Sequence, residues 1–156
     1  MLKPKSLSFT SLFFILAITV PHVNAGNPDY RSPEEVPGTT TITAEQAKKL
    51  YDEGVAIIDV RNPRLYARRH IPGAHHLDLK TAYSEDALAA LANKDDVIVI
   101  YCSGVKCSRS YRASEQAVSW GYRNVKYFRG GIVDWRNAGY PVESSAVEPA
   151  SDNSSQ

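Results

Sequence analysis

Short apolar runs alternate with amphipathic stretches through the middle of the chain. Ala56-Ile-Ile-Asp-Val60 and Val97-Ile-Val-Ile-Tyr101 are apolar at nearly every position, as suits strands buried on both faces of a parallel sheet. His75 to Leu79 and Val125-Lys-Tyr-Phe128 read as two further strands. Between these runs lie helix signals. Thr43-Ala-Glu-Gln46 is a capping box that opens a helix from Ala44 to Asp52, closed by Gly54. Pro63 to Arg69 is a short helix with proline in its first turn, and Ser84 caps an alanine- and leucine-rich helix through about Leu91. Two more helices are expected from about Ser108 to Trp120 and from about Ile132 to Ala138, ended by Gly121 and Gly139. Strands alternating with helices through short connections marked by Gly and Pro predict an α/β domain with a mainly parallel central sheet flanked by helices.

The two ends of the chain read differently. Lys3 and Lys5 precede the apolar run Phe9 to Val20, and Val23-Asn24-Ala25 places small residues at cleavage positions. This is the pattern of a secretory signal over residues 1–25, cut after Ala25, and it predicts a periplasmic or secreted protein. The run falls short of the ~20 apolar residues that span a bilayer, so no membrane association is expected once it is removed. Gly26 to Gly38 is proline-rich and poor in apolar residues, and Ser144 to Gln156 is rich in Ser, Ala and acids. The first reads as a flexible lead and the second as a disordered tail. A single domain over residues 39–143 remains, close to the commonest domain size.

Lys and Arg number 18 against 17 Asp and Glu, and loss of the signal removes two of the bases. A nearly neutral domain lacks the clustered positive charge of a nucleic-acid binder. The chain has two cysteines, Cys102 and Cys107, too few and too close together to be a general stapling framework. Without a further Cys or His cluster they make a poor metal site, and no metal or other cofactor is expected.

Cys102 follows the strongest strand directly and opens the loop Cys102-Ser-Gly-Val-Lys-Cys-Ser-Arg109 before a helix. In parallel α/β sheets ligands bind beyond the carboxyl ends of the strands, where this thiol is delivered. Loop amides and the positive end of a helix dipole favour a thiolate and can also hold an oxyanion. The position and the chemistry both suit a nucleophile.

The chain resembles the rhodanese family of sulfurtransferase domains. The likeness runs through Ile57-Ile-Asp59-Val-Arg61 with Tyr66, His70-Ile-Pro-Gly-Ala74, Val99-Ile-Tyr-Cys102, Arg109-Ser110, Gly121-Tyr122 and Arg129 to Val142, in order and across nearly the whole core. It implies a single rhodanese-like domain that moves sulfane sulfur from a small-molecule donor such as thiosulfate to a thiol or cyanide through a persulfide on Cys102. Such covalent catalysis divides one transfer into two half-reactions. The same resemblance makes the loop amides, those of Ser103 and Gly104 among them, the anion holders, with Arg109 to steer an oxyanion and Lys106 as a second cation. Asp59, Arg61 and His70 read as structural support: a buried carboxylate satisfied by hydrogen bonds and a cation, and a histidine in a turn.

Six residues, Ser103 to Ser108, separate Cys102 from Arg109, a longer loop than the usual family pattern or its phosphatase-type variant. Cys107 within it has three readings: a resolving thiol that takes the sulfur or closes a disulfide with Cys102, a packed small residue, or one half of a metal pair. An oxidising compartment adds a redox partner protein to the partners the chain could meet. His75 and His76, adjacent on a strand, face opposite sides, Trp120 and Trp135 read as core anchors, and Gly130-Gly131 reads as a tight turn. Two rival functions share this fold: a phosphatase- or arsenate-reductase-like thiol enzyme, and a non-catalytic rhodanese-like binding module.

Overall fold

The computed structural model of the chain describes residues 29–145, and within them the alternation of apolar and amphipathic runs becomes five strands and five helices. The strands are β1 (Thr39–Thr41), β2 (Ala56–Asp59), β3 (His75–His76), β4 (Val97–Tyr101) and β5 (Asn124–Phe128). The helices are α1 (Ala44–Asp52), α2 (Pro63–Arg68), α3 (Glu85–Ala89), α4 (Arg109–Ser119) and α5 (Gly131–Asn137). All strand pairings are parallel, in the order β1-β5-β4-β2-β3, so β4 lies at the centre with β2 and β5 beside it.

The central strands are apolar throughout because both faces are covered. Ile58, Ile98, Ile100 and Val125 pack with Leu88, Ala113 and Ala117 on one side. Ile57, Val99 and Tyr101 pack with Ala47, Phe128 and Trp135 on the other. Period-two alternation divides each strand between these two cores. The signalled caps form: Thr43 and Gln46 make the capping box, and Asn62 and Ser84 each accept a backbone amide in the first turn of their helix.

Several expectations change. The segment read as a flexible lead is packed in its described part, residues 29–38. Ser32 and Val36 are buried, Tyr127 Oη donates to the Pro33 carbonyl at 3.2 Å, and the Arg129 guanidinium donates to the Ser32 carbonyl at 2.8 and 3.1 Å. Prolines restrict an extended segment in advance, and these donors satisfy its backbone without a regular element. β1 is three threonines on the sheet edge, too polar to register as an apolar run. β3 has two residues instead of five, because the chain turns at Asp78, which accepts the Lys80 amide and the Thr81 hydroxyl. Trp135 is fully buried, with its indole N–H donating to the Pro141 carbonyl, whereas Trp120 is only half-buried, against Tyr83. The tail begins by docking: the Ser144 hydroxyl and Ser145 amide both donate to the Ala67 carbonyl. The expected signal over residues 1–25 and the tail beyond Ser145 lie outside the described residues. No helix among the described residues is long and apolar enough to cross a membrane.

Candidate active site at the carboxyl edge of the sheet

Cys102 follows the last residue of β4 and is 1% exposed. Its carbonyl accepts the Ile132 amide at 3.0 Å, and the Ser103 carbonyl accepts the Val133 amide at 3.2 Å. The first turn of α5 therefore holds the start of the loop. Gly130 and Gly131, read as a tight turn, make this approach feasible. Gly131 has φ +56°, and a Cβ there would collide with the Cys102 carbonyl, while a Cβ on Gly130 would collide with the Asp134 side chain. Further along, the Gly104 carbonyl accepts the Cys107 amide at 2.9 Å and the Val105 carbonyl accepts the Ser32 amide at 2.7 Å.

The loop is thus asymmetric. Four successive carbonyls, Cys102 to Val105, have backbone partners. Among the described residues, the amides of Ser103, Gly104, Val105, Lys106 and Ser108 donate to no protein acceptor. Backbone donors without acceptors, next to the N-terminus of the eleven-residue α4, form a setting suited to an anion. The amide of Cys107 is already engaged within the loop.

A cavity of about 600 Å³ opens beside the loop, lined by Ser103 to Arg109 and by Gly130, Val133 and Asp134. Five of the sequence-derived site residues, Ser103, Gly104, Lys106, Cys107 and Arg109, meet there. Lys106 is exposed and has no ion-pair partner among the described residues. Val133, at 46% exposure, gives the mouth an apolar wall. Asp134 adds a carboxylate that the sequence reading did not assign to the site. An acid in the first turn of a helix is ordinary dipole compensation, so nothing in the sequence marked it.

Arg109 also lines the cavity, and one nitrogen of its guanidinium is engaged by a partner from another turn. Nη1 donates to Asp78 Oδ1 and, at 3.3 Å, to the Val60 carbonyl. The cause is Asp78, a 5% exposed carboxylate at the turn after β3 that needs a cation. Burial pushes the Asp78 carboxyl up, yet the Lys80 amide, Arg109 and the Thr81 hydroxyl outweigh it and hold it below the usual carboxylate range. Arg109 therefore fixes the start of α4 against the end of β2. Asp78 was missed because its turn was read as strand.

Cys107 bonds to Cys102, with the two Cα atoms 6.4 Å apart. Of its three readings, the structure contains the disulfide, and no metal-binding cluster occurs among the described residues. Cys107 is half-buried and lines the cavity, and Cys102 lies behind it.

The supporting residues sit apart from this cavity. Asp59 accepts from the Arg61 amide at 2.9 Å, from Arg61 Nε and Nη2, and from Tyr101 Oη at 2.5 Å. Arg61 also donates to the Arg69 carbonyl, and its own carbonyl accepts from His76 Nε2. Burial, then the charge of Asp59, push the Tyr101 hydroxyl well above its usual range, so it remains a donor. His70 stacks on Tyr66, donates through Nδ1 to the Tyr66 carbonyl, and meets Glu143 through Nε2 and a two-way backbone bridge. That clasp closes the end of the domain. His75 is exposed while His76 is half-buried, in keeping with opposite faces of the edge strand.

Comparison with known proteins bears on this geometry. The model of the rhodanese-like domain matches residues 43–138. The thiosulfate sulfurtransferase GlpE of Pseudomonas fluorescens is 34% identical over 108 residues, covering 69% of this chain and 94% of that protein. A crystal structure of the BH2092 protein of Bacillus halodurans superposes with a TM-score of 0.61 at 28% identity, covering 68% of this chain and 77% of the other. A Rhodopseudomonas palustris protein of unknown function, described as a possible tyrosine phosphatase, is 29% identical with a TM-score of 0.53, covering 67% and 85%.

Proposed function

This chain belongs to the rhodanese-like domain family, and on that premise we propose that it is an exported sulfurtransferase that carries sulfane sulfur as a persulfide on Cys102. The observation that carries the reading is the loop at the end of β4. A buried sulfur lies in a loop whose first four carbonyls are tied back, while five of its amides have no protein acceptor among the described residues. The thiosulfate sulfurtransferase GlpE, which this chain covers nearly in full, supports the same chemistry.

In the reduced protein the Cys102 thiolate attacks the outer sulfur of thiosulfate, and sulfite leaves with the bonding pair. Sulfite is a stable anion that needs little protonation on departure, so the step requires no strong general acid. The new persulfide is itself anionic and falls to the loop amides to stabilise. A thiol or cyanide acceptor then takes the outer sulfur and restores the thiolate. Lys106 is the cation placed to draw the donor dianion into the cavity, and Val133 gives an acceptor an apolar surface. In the disulfide form neither half-reaction can begin until Cys102 is released. Residues 1–25 carry the export part of the proposal, and N-terminal sequencing of the secreted protein should start at Gly26.

The rival phosphatase-type reading needs a guanidinium to close around a tetrahedral oxyanion. Engagement of Arg109 by Asp78 weighs against it. Reduced protein mixed with thiosulfate should gain one sulfur by intact mass, and Cys107→Ser should gain it too, whereas Cys102→Ser should not. Turnover by Cys102→Ser should fall by on the order of a thousandfold or more, as expected for loss of a covalent nucleophile. Phosphatase turnover without any sulfur adduct would overturn the proposal.

A further inference from the structure

The bond between Cys102 and Cys107 has a chemical consequence beyond blocking the site. The loop turns back on itself through the hydrogen bond from the Cys107 amide to the Gly104 carbonyl, which brings the second sulfur onto the first. Cys107 lines the cavity, while Cys102 is 1% exposed behind it. The chain has no third cysteine, so any disulfide formed within one molecule joins this pair.

We propose that Cys107 is a resolving thiol that converts sulfur transfer into sulfide release, so that the protein reduces sulfane sulfur at the expense of a dithiol. The proposal rests on the sulfurtransferase reading for its first step. Once Cys102 carries the persulfide, Cys107 attacks Cys102 Sγ. The S–S bond of the persulfide breaks, and its electron pair leaves on the outer sulfur as hydrosulfide, which takes up the proton lost from the Cys107 thiol. The Cys102–Cys107 disulfide is the other product. The protein has lost two electrons and the sulfane sulfur has gained them.

Regeneration needs an external dithiol, either a small molecule or a protein with a paired-cysteine site. Its first thiolate attacks Cys107, the sulfur that lines the cavity, and expels Cys102 as the thiolate. Its second thiol closes the reductant's own disulfide and frees Cys107. The sum is thiosulfate and a dithiol giving sulfite, hydrosulfide, a disulfide and one proton. Exchange of this kind favours the accessible sulfur as the site of attack and the better-stabilised thiolate as the leaving group. The loop amides and the N-terminus of α4 supply that stabilisation for Cys102.

The test is a single turnover under anaerobic conditions. Full-length protein is reduced, freed of reductant and mixed with one equivalent of thiosulfate, and sulfite, sulfide and intact mass are followed. The wild type should release sulfide and sulfite in about equal amounts and finish as the internal disulfide. Cys107→Ser should release sulfite, keep the sulfur as a persulfide and yield at least about tenfold less sulfide until a thiol is added. Wild-type protein that releases sulfite but retains the sulfur on Cys102 would overturn the resolving role and leave the sulfurtransferase reading intact. Absence of sulfite from both proteins would overturn both. If Cys107→Ser fails to fold, the wild-type products alone decide, since disulfide with sulfide supports the proposal and a stable persulfide refutes it.

Discussion

Two neighbouring strand ends on the same edge of the sheet have opposite characters. At the end of β2, Asp59 pairs in register with Tyr101 of β4, and its carboxylate receives the Arg61 amide, the Arg61 guanidinium and the Tyr101 hydroxyl. At the end of β4, one residue past Tyr101, Cys102 opens a loop in which the amides of Ser103, Gly104, Val105, Lys106 and Ser108 have no protein acceptor among the described residues. A carboxylate saturated with donors is inert and holds the fold. Donors left without acceptors, beside a sulfur, form a place where a new anion can be received. Conspicuous charge is therefore a poor guide to chemistry in this molecule, because the buried Asp59 carboxylate is held by donors on every side the structure shows.

The largest test of that contrast is Asp59→Ala. It strands the Arg61 guanidinium in the core and should cost about 3–5 kcal/mol in denaturant unfolding, the range for breaking one side of a buried pair. Folded Asp59→Ala protein should still take sulfur from thiosulfate, and a folded variant that could not would erase the division between the two strand ends. Gly131→Ala comes next. Its positive φ and the collision with the Cys102 carbonyl should destabilise the protein by about 1–3 kcal/mol and also slow sulfur uptake, since the same contact holds the loop. A stability loss with uptake unchanged would detach α5 from the site.

Smaller effects separate the two cations. Lys106→Ala should raise the KM for thiosulfate by roughly threefold to fivefold, as fits an exposed charge, and leave an uncharged persulfide donor unaffected. Arg109→Ala should impair both donors alike because its guanidinium positions α4, and a loss confined to thiosulfate would restore Arg109 as the oxyanion group. The finest difference is in acid. The folded Asp78 carboxyl lies below its unfolded value, so its contribution to stability is fully present above the ordinary Asp range, near pH 3.9, and is lost as pH falls through the folded value. Removing Arg109 lets the carboxyl rise towards its unfolded value, so stability is lower above the Asp range and falls less steeply with acid, a shallower acid limb that a thermal-unfolding series below pH 5 would register.

The site was only partly visible along the chain. Cys102, Lys106 and the loop amides could be placed because a strand ending in Cys and a following helix are local features. Asp78 and Asp134 could not be assigned, since each acquires its role from a residue or cavity contributed by a distant segment. The partner of Arg109 was hidden for the same reason. Ser32 illustrates the point again, for a segment poor in apolar residues gave no sign that its amide would pin the Val105 carbonyl.

The sequence by itself determined the α/β alternation, the buried parallel strands, the helix caps and the delivery of Cys102 to a strand's carboxyl end. These follow from periodicity and from hydrogen bonds between residues a few positions apart. Only the tertiary structure decided which cation is engaged, which amides remain without acceptors, and that Cys107 bonds to Cys102 in front of the cavity. Those outcomes depend on which distant donors and acceptors burial brings within about 3 Å of one another, and no local pattern contains that distance.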